Sequence, residues 1–379
     1  MAAIPVSYEQ SRQRFHSQLD AIRKSWPLAQ RTSQILSNQD DLSIDWISAN
    51  ALTARDKLFV LTTGEHGIEG YAGAALLELF IEQYLPRLDP QTTGILLVHA
   101  INPWGMKHWK RNNAQNVDLN RNFIDGDFSA LANTNPDYPK LASFLSPQKP
   151  LGKIWAEKLG YIYQTLQTLA SFGVKRTREA ALMGQYGIPQ GIYFGGQEVQ
   201  RETRMMMELY RSAFAGYSQV VHLDMHTGYG PRFQMTLVNS PHEKMNAAET
   251  TAKYGTPLVA AANPDEFYTM QGDMIDWEYQ LVRKEFPGAR IFAATCEFGT
   301  FGESILAGAR SLRITIFKNQ VNLFGASPAT RAWVEQEYRE LYLPAEPKWF
   351  EKVRADAQQT FEGVLGAEGF FNRPAAAQA

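Results

Sequence analysis

The stretch Val220-Val221-His222-Leu223-Asp224-Met225-His226-Thr227-Gly228 decides how the chain folds. Its apolar, β-branched start reads as a buried strand and its Thr-Gly end as the loop that follows. Strand alternation puts His222, Asp224 and His226 on one face. Comparable short runs recur at residues 58–63, 94–101, 233–238, 258–262 and 290–296. Helix-patterned stretches lie at 71–85, 200–214, 242–254, 274–286, 303–323 and 328–341. The alternation predicts an α/β fold whose central sheet is flanked by helices on both faces. Three strands end just before polar or Gly-rich segments: Gly64-Glu65-His66, Asn102-Pro103-Trp104 and Thr227-Gly228. In open α/β sheets ligands bind outside the carboxyl ends of strands, so the chemistry is expected in these loops.

The 379 residues suit one large domain with added segments. A catalytic domain is expected over residues 1–343, interrupted at about 125–195 by an insertion or lid. That insertion mixes a polar loop (133–150), a helix-like run (154–169) and a Gly-rich exit (184–196). Residues 344–379 turn Pro- and Ala-rich and read as a carboxyl-terminal extension, frayed from 372 onward. Hydrophobic residues make up 44% and charged residues 20%, which disfavours a disordered or fibrous chain. Lys+Arg 37 against Asp+Glu 39, a net charge of -2, argues against duplex binding, which needs a basic excess to displace counterions. The polar amino terminus has no apolar signal core, and no apolar run reaches bilayer length, so a cytoplasmic protein without membrane or nucleic-acid partners is expected.

A single cysteine, Cys296, supplies neither a disulfide nor a thiolate cluster, so any metal site must use His and carboxylates. Thr63-Gly64-Glu65-His66-Gly67-Ile68-Glu69-Gly70 follows a strand, and a His and a Glu three apart on a turn can face one ion. His226, at the carboxyl end of its own strand, can provide a third ligand. Two His and one Glu hold zinc with a position left open for water, the pattern of a catalytic site. His222, inside the strand, reads as a hydrogen-bonded core group. Asn120-Arg121 sets an amide beside a guanidinium, a pairing suited to a carboxylate. Arg111 lies just upstream, Tyr268 sits on a loop before a helix, and Glu297 ends a strand where a general base would be needed. Cys296 is turned the other way by alternation and reads as core.

With these motifs in this order, from about residue 58 to 300, the chain resembles the zinc carboxypeptidase (M14) family, and within it the bacterial branch labelled DUF2817. The resemblance implies a mixed central sheet and one zinc ion on His66, Glu69 and His226. It implies that Asp118 supports the ring of His66, and that Asn120 and Arg121 grip the substrate's terminal carboxylate. It further implies that Arg111 polarises the scissile carbonyl, that Tyr268 closes over the substrate, and that Glu297 is the catalytic base. Ile275 matches the base of the side-chain pocket, which favours an apolar or neutral terminal residue. Ile68 stands where digestive members carry an Arg that holds the penultimate substrate residues. The implied activity is a metallocarboxypeptidase acting on a small peptide. Aspartoacylase-like and succinylglutamate desuccinylase-like deacylation of N-acyl amino acids is the alternative. Those deacylases add a β-rich carboxyl-terminal domain, whereas this chain reads as helices after Glu297. A carboxylate-binding module without catalysis would have no need of Glu297.

Overall fold

A computed structural model of the chain describes residues 3–261 and 270–372. Its strands are β1 (Gln30–Ser37), β2 (Leu42–Ala49), β3 (Lys57–Thr63), β4 (Thr93–His99), β5 (Gln219–Gly228), β6 (Met235–Asn239), β7 (Val259–Ala261) and β8 (Arg290–Gly299). They form one sheet in the order β1-β2-β4-β3-β5-β8-β6-β7. The central strands β4, β3, β5 and β8 run parallel. β2 pairs antiparallel with β1 and β4, and β6 antiparallel with β8, so the sheet is mixed as expected.

Parallel strands are covered on both faces, which is why β3, β4 and β5 are buried almost throughout. On one face Val221, Leu223 and Met225 of β5 pack with Phe59 and Leu61 of β3 against the helix Gly70–Gln83. On the other, Val220 and Val60 pack with Met206 and Tyr210 of the helix Arg201–Phe214 and Trp277 of the helix Met274–Glu285. Cys296 lies in the first of these cores, with Met225 and Leu237.

Residues 344–372 do more than extend the chain. The helix Pro347–Ala367 sends Trp349, Val353, Phe361, Val364 and Leu365 into the same core as Phe59 and Val221. Its Pro347 occupies the first turn, where a missing N–H costs nothing. Residues 125–195 form helices Tyr138–Leu145, Ile154–Phe172 and Val174–Leu182. Tyr138, Leu145 and Tyr161 from this segment share a third core with Ile314 and Phe317 of the helix Ile305–Phe324 and Tyr338 of the helix Pro328–Tyr342. The helix expected from 242 starts later, at Ala247, because Asn246 and Glu249 form a reciprocal cap there. Residue 262 of the strand read at 258–262, and the tail from 373, lie outside the described residues, as does Tyr268. Among the described residues no helix is long and apolar enough to cross a membrane.

Candidate functional site

β3, β5 and β8 lie side by side and parallel, so their carboxyl ends open on the same edge of the sheet. After β3 the chain makes a tight turn, Gly67–Glu69, and enters the helix Gly70–Gln83. Two backbone bonds pin the turn: Gly67 N–H donates to the Arg111 carbonyl at 3.2 Å and Ile68 N–H to the Lys110 carbonyl at 2.9 Å. This anchoring points His66 and Glu69 at the end of β5. His66 Nδ1 lies 3.0 Å from Glu69 Oε1 and 3.1 Å from His226 Nδ1. His226 Nδ1 lies 3.3 Å from Glu69 Oε2. All three side chains are buried.

Carboxylates hold the far sides of both rings. Asp118 Oδ1 is 3.0 Å from His66 Nε2, and Asp224 Oδ2 bonds Nε2 of His226. With each Nε2 proton given to a carboxylate, both Nδ1 lone pairs aim at one point, beside the oxygens of Glu69. Such groups repel unless a proton or a cation lies among them. Four-coordinate N and O ligands at about 2.0–2.1 Å from a metal sit roughly 3.3 Å apart, so the donor set fits a divalent cation. Burial pushes Glu69 up, but His66 and His226 outweigh it and hold the carboxyl well below its usual range. Glu69 also accepts the Thr227 N–H at 2.8 Å.

Sequence reasoning missed Glu65. Its donor atoms lie within 4.8 Å of those of His66 and His226. Its Oε2 approaches Nε2 of His226 at 3.5 Å, on the side of the ring away from Glu69. Neither Glu65 oxygen has a hydrogen-bond donor, and burial, reinforced by Asp224, pushes its carboxyl well above the usual range. The available signal was its place, directly before His66 at a strand end. Glu69 is the carboxylate that meets both Nδ1 atoms, whereas Glu65 stands on the Nε2 side of His226.

Glu297 pairs with His226 in the parallel β5/β8 register and with Thr236 across the antiparallel β6. Its Oε2 is buried without a partner. Burial pushes this carboxyl up, against the pull of His226. Arg111 donates through Nε to Asp118 at 3.1 Å and through Nη1 to Glu69 at 3.4 Å, so its guanidinium lies beside the three donors. Burial opposes its charge, yet Asp118 holds its pKa well above the usual value.

The remaining expected groups are placed less uniformly. Arg121 is 2% exposed, and its Nη1 and Nη2 donate to the Asn120 and Leu182 carbonyls at 2.7 and 2.9 Å. Its Nε alone is left without a partner. Asn120 Oδ1 accepts the Met274 N–H at 3.0 Å. Ile275 is buried in the apolar cluster with Leu119, Phe123 and Trp277. His222 bonds Thr62 at 2.7 Å and Glu278 at 2.9 Å, so both ring nitrogens are satisfied and it is a core group.

The chain is similar in structure to several solved proteins. Bovine thrombin-activatable fibrinolysis inhibitor, in complex with tick carboxypeptidase inhibitor, matches at TM-score 0.47 and 14% identity, over 83% of this chain and 98% of that one. Carboxypeptidase A from Helicoverpa armigera matches at TM-score 0.46 and 13% identity, over 89% and 74%. The succinylglutamate desuccinylase from Chromobacterium violaceum matches at TM-score 0.36 and 15% identity, over 81% and 72%. No curated protein matches by sequence. Residues 5–356 match the family described as "Protein of unknown function (DUF2817)", and the chain belongs to that family.

Proposed function

We propose that the chain is a zinc-dependent metallohydrolase of carboxypeptidase type, cleaving an amide bond next to a free carboxylate. The observation that carries this reading is the meeting of His66 Nδ1, His226 Nδ1 and the Glu69 carboxylate within 3.0–3.3 Å, each ring backed by its own carboxylate. His66, Glu69 and His226 would hold the ion, which when bound supplies Lewis acidity and a water of lowered pKa. Glu297, one strand away with a partnerless buried oxygen, takes at Oε2 the proton of the water that adds to the carbonyl carbon and delivers it to the amine nitrogen as the C–N bond breaks. Its raised pKa suits both halves of that transfer. Arg111 donates to the oxyanion as it develops, a contribution of about 3 kcal/mol for a well-placed donor. Asp118 keeps the His66 ring oriented. Asn120 and Arg121 bind the substrate carboxylate, for which Arg121 Nε is the unused donor. Tyr268 closes over the substrate, and Ile275 biases the pocket toward an apolar or neutral terminal residue.

Among the described residues the chain after β8 holds no further strand, only the helices Ile305–Phe324, Pro328–Tyr342 and Pro347–Ala367. Glu297→Gln should abolish turnover while leaving about one zinc per chain; substantial residual activity would remove Glu297 from the base role. Short peptides assayed against N-acyl amino acids separate the two substrate classes.

A further inference from the structure

A cavity of about 60 Å³ has walls that include Lys110, Arg111, Tyr193, Lys318, Asn319 and Asn322. We propose that this cavity is an anion-binding site for a small carboxylate or phosphate. The inference stands independently of the hydrolytic reading.

The space exceeds the roughly 10–15 Å³ that one water needs and admits a small oxyanion. Its charge is unbalanced. The Lys110 ammonium has no ion pair or hydrogen bond among the described residues and rests on the Trp104 ring, 4.6 Å from the centroid. Lys318 and Arg331 stand near it, against the single carboxylate of Glu335, which Lys318 already engages. Burial, with those cations, depresses the Lys110 pKa to about 8. A half-buried ammonium among like charges is disfavoured, and an anion beside it offsets that cost.

The hydrogen-bonding groups point the same way. The Asn322 side chain has no hydrogen bond among the described residues, so its amide is free to donate. Arg111 commits Nε to Asp118 and Nη1 to Glu69, leaving Nη2 without a partner among the described residues. Asn319 spends its amide on the Gln190 carbonyl at 2.7 Å. The Lys110 ammonium and the Asn322 amide N–H groups, on walls shared with Arg111 and Lys318, are therefore donors without a partner among the described residues. A cation would be repelled here, and an apolar group would leave the donors unsatisfied.

The occupant is either a free ion or the anionic tail of a substrate that reaches past Arg111. Calorimetry on the full chain at low ionic strength, with inorganic phosphate and separately with acetate as probes, should show binding that weakens with salt. Lys110→Met keeps the stem and removes the charge. It should lower affinity roughly tenfold or more, as expected for one charge-assisted bond, with an unchanged melting temperature. Asn322→Ala should lower it by a smaller factor. If neither ion binds, or if Lys110→Met binds both as tightly as wild type, the proposal is overturned. A KM increase in Lys110→Met confined to substrates with an anionic tail, at constant kcat, identifies the substrate as the source. Unchanged KM alongside lost phosphate binding identifies a free ion. Both readouts are separate from Glu297→Gln, so the hydrolytic reading and this site fail independently.

Discussion

Asp118 accepts from Nε2 of His66 at 3.0 Å, and this contact decides which nitrogen of the ring is free. A carboxylate at Nε2 keeps the proton there and presents the Nδ1 lone pair to His226 and Glu69. The other Asp118 oxygen accepts from Arg111 Nε at 3.1 Å, so one buried carboxylate orients both a ring of the candidate metal site and a cationic neighbour. Asp224 does the equivalent for His226 and is itself fixed by the Thr62 hydroxyl at 2.6 Å. The geometry of the two Nδ1 donors is thus built from behind, by carboxylates bonded to the opposite nitrogen of each ring.

Asp118→Asn tests that arrangement. The amide keeps the shape but loses the charge, and its NH₂ can face Nε2 and move the ring proton to Nδ1. Metal affinity should fall about 10–100-fold, the usual cost of losing such a partner. Chelator-competition titration reads this directly. Wild-type affinity in the variant would mean that packing alone orients His66.

The two carboxylates near the rings separate by substitution. Glu69→Gln should remove most of the bound metal, because Glu69 alone contacts both Nδ1 atoms. Glu65→Gln should keep the stoichiometry, since Glu65 lies on the Nε2 side of His226. Elemental analysis of the two purified variants decides the matter. The reverse pattern would make Glu65 the third ligand.

The parts of this site that were legible in the sequence are those written in local pattern. β3, β5 and β8 are apolar runs that stop abruptly at a charged group, so His66, His226 and Glu297 could be placed on one sheet edge although His66 and His226 are 160 residues apart. What was not legible depends on contacts between distant segments. β1 is an edge strand, mostly exposed, and its Gln-Arg-Thr-Ser-Gln start carries no alternation to read. Nothing near Arg121 announces that the Leu182 carbonyl, from residues 125–195, would take one of its nitrogens. The Ala-rich composition beyond Leu343 hid a helix whose Trp349 donates to the Gly299 carbonyl at 2.9 Å and so braces the end of β8, next to Glu297.

Gly67 has no room for a side chain. A Cβ there would lie 2.1 Å from backbone atoms of Gly105 and Met106, which cannot rotate away. Gly67→Ala must therefore shift the turn that carries His66 and Glu69. It should cost about 1–3 kcal/mol of stability and weaken metal binding in the same variant. Gly160, exposed within the helix Ile154–Phe172 with nothing within 4 Å of its Cβ position, is the control. Gly160→Ala should stabilise by about 0.5–1 kcal/mol through helix propensity and leave metal binding unchanged. Denaturant unfolding with parallel metal titration checks both. Equal metal affinity in Gly67→Ala and wild type would show that the turn can yield without moving its donors.

His99, at the end of β4, gives stability a pH dependence separate from the site. It is buried, with Ser11 Oγ at 2.8 Å and the Phe15 ring stacked at 5.3 Å. Burial is the main cause that lowers its pKa from 6.5 to about 4, while Asp45 pulls the other way. The folded state therefore keeps the ring neutral where the unfolded chain would protonate it. The His99 contribution is fully present above pH 6.5 and is lost as pH falls from 6.5 toward 4, by up to about 3 kcal/mol. His99→Gln removes the titration. The stability difference between wild type and His99→Gln, followed by denaturant unfolding, should be constant above pH 6.5 and move against wild type below it. A difference that stays flat from pH 7 to pH 4 would mean that the buried ring accepts a proton in the folded state as readily as in the unfolded one.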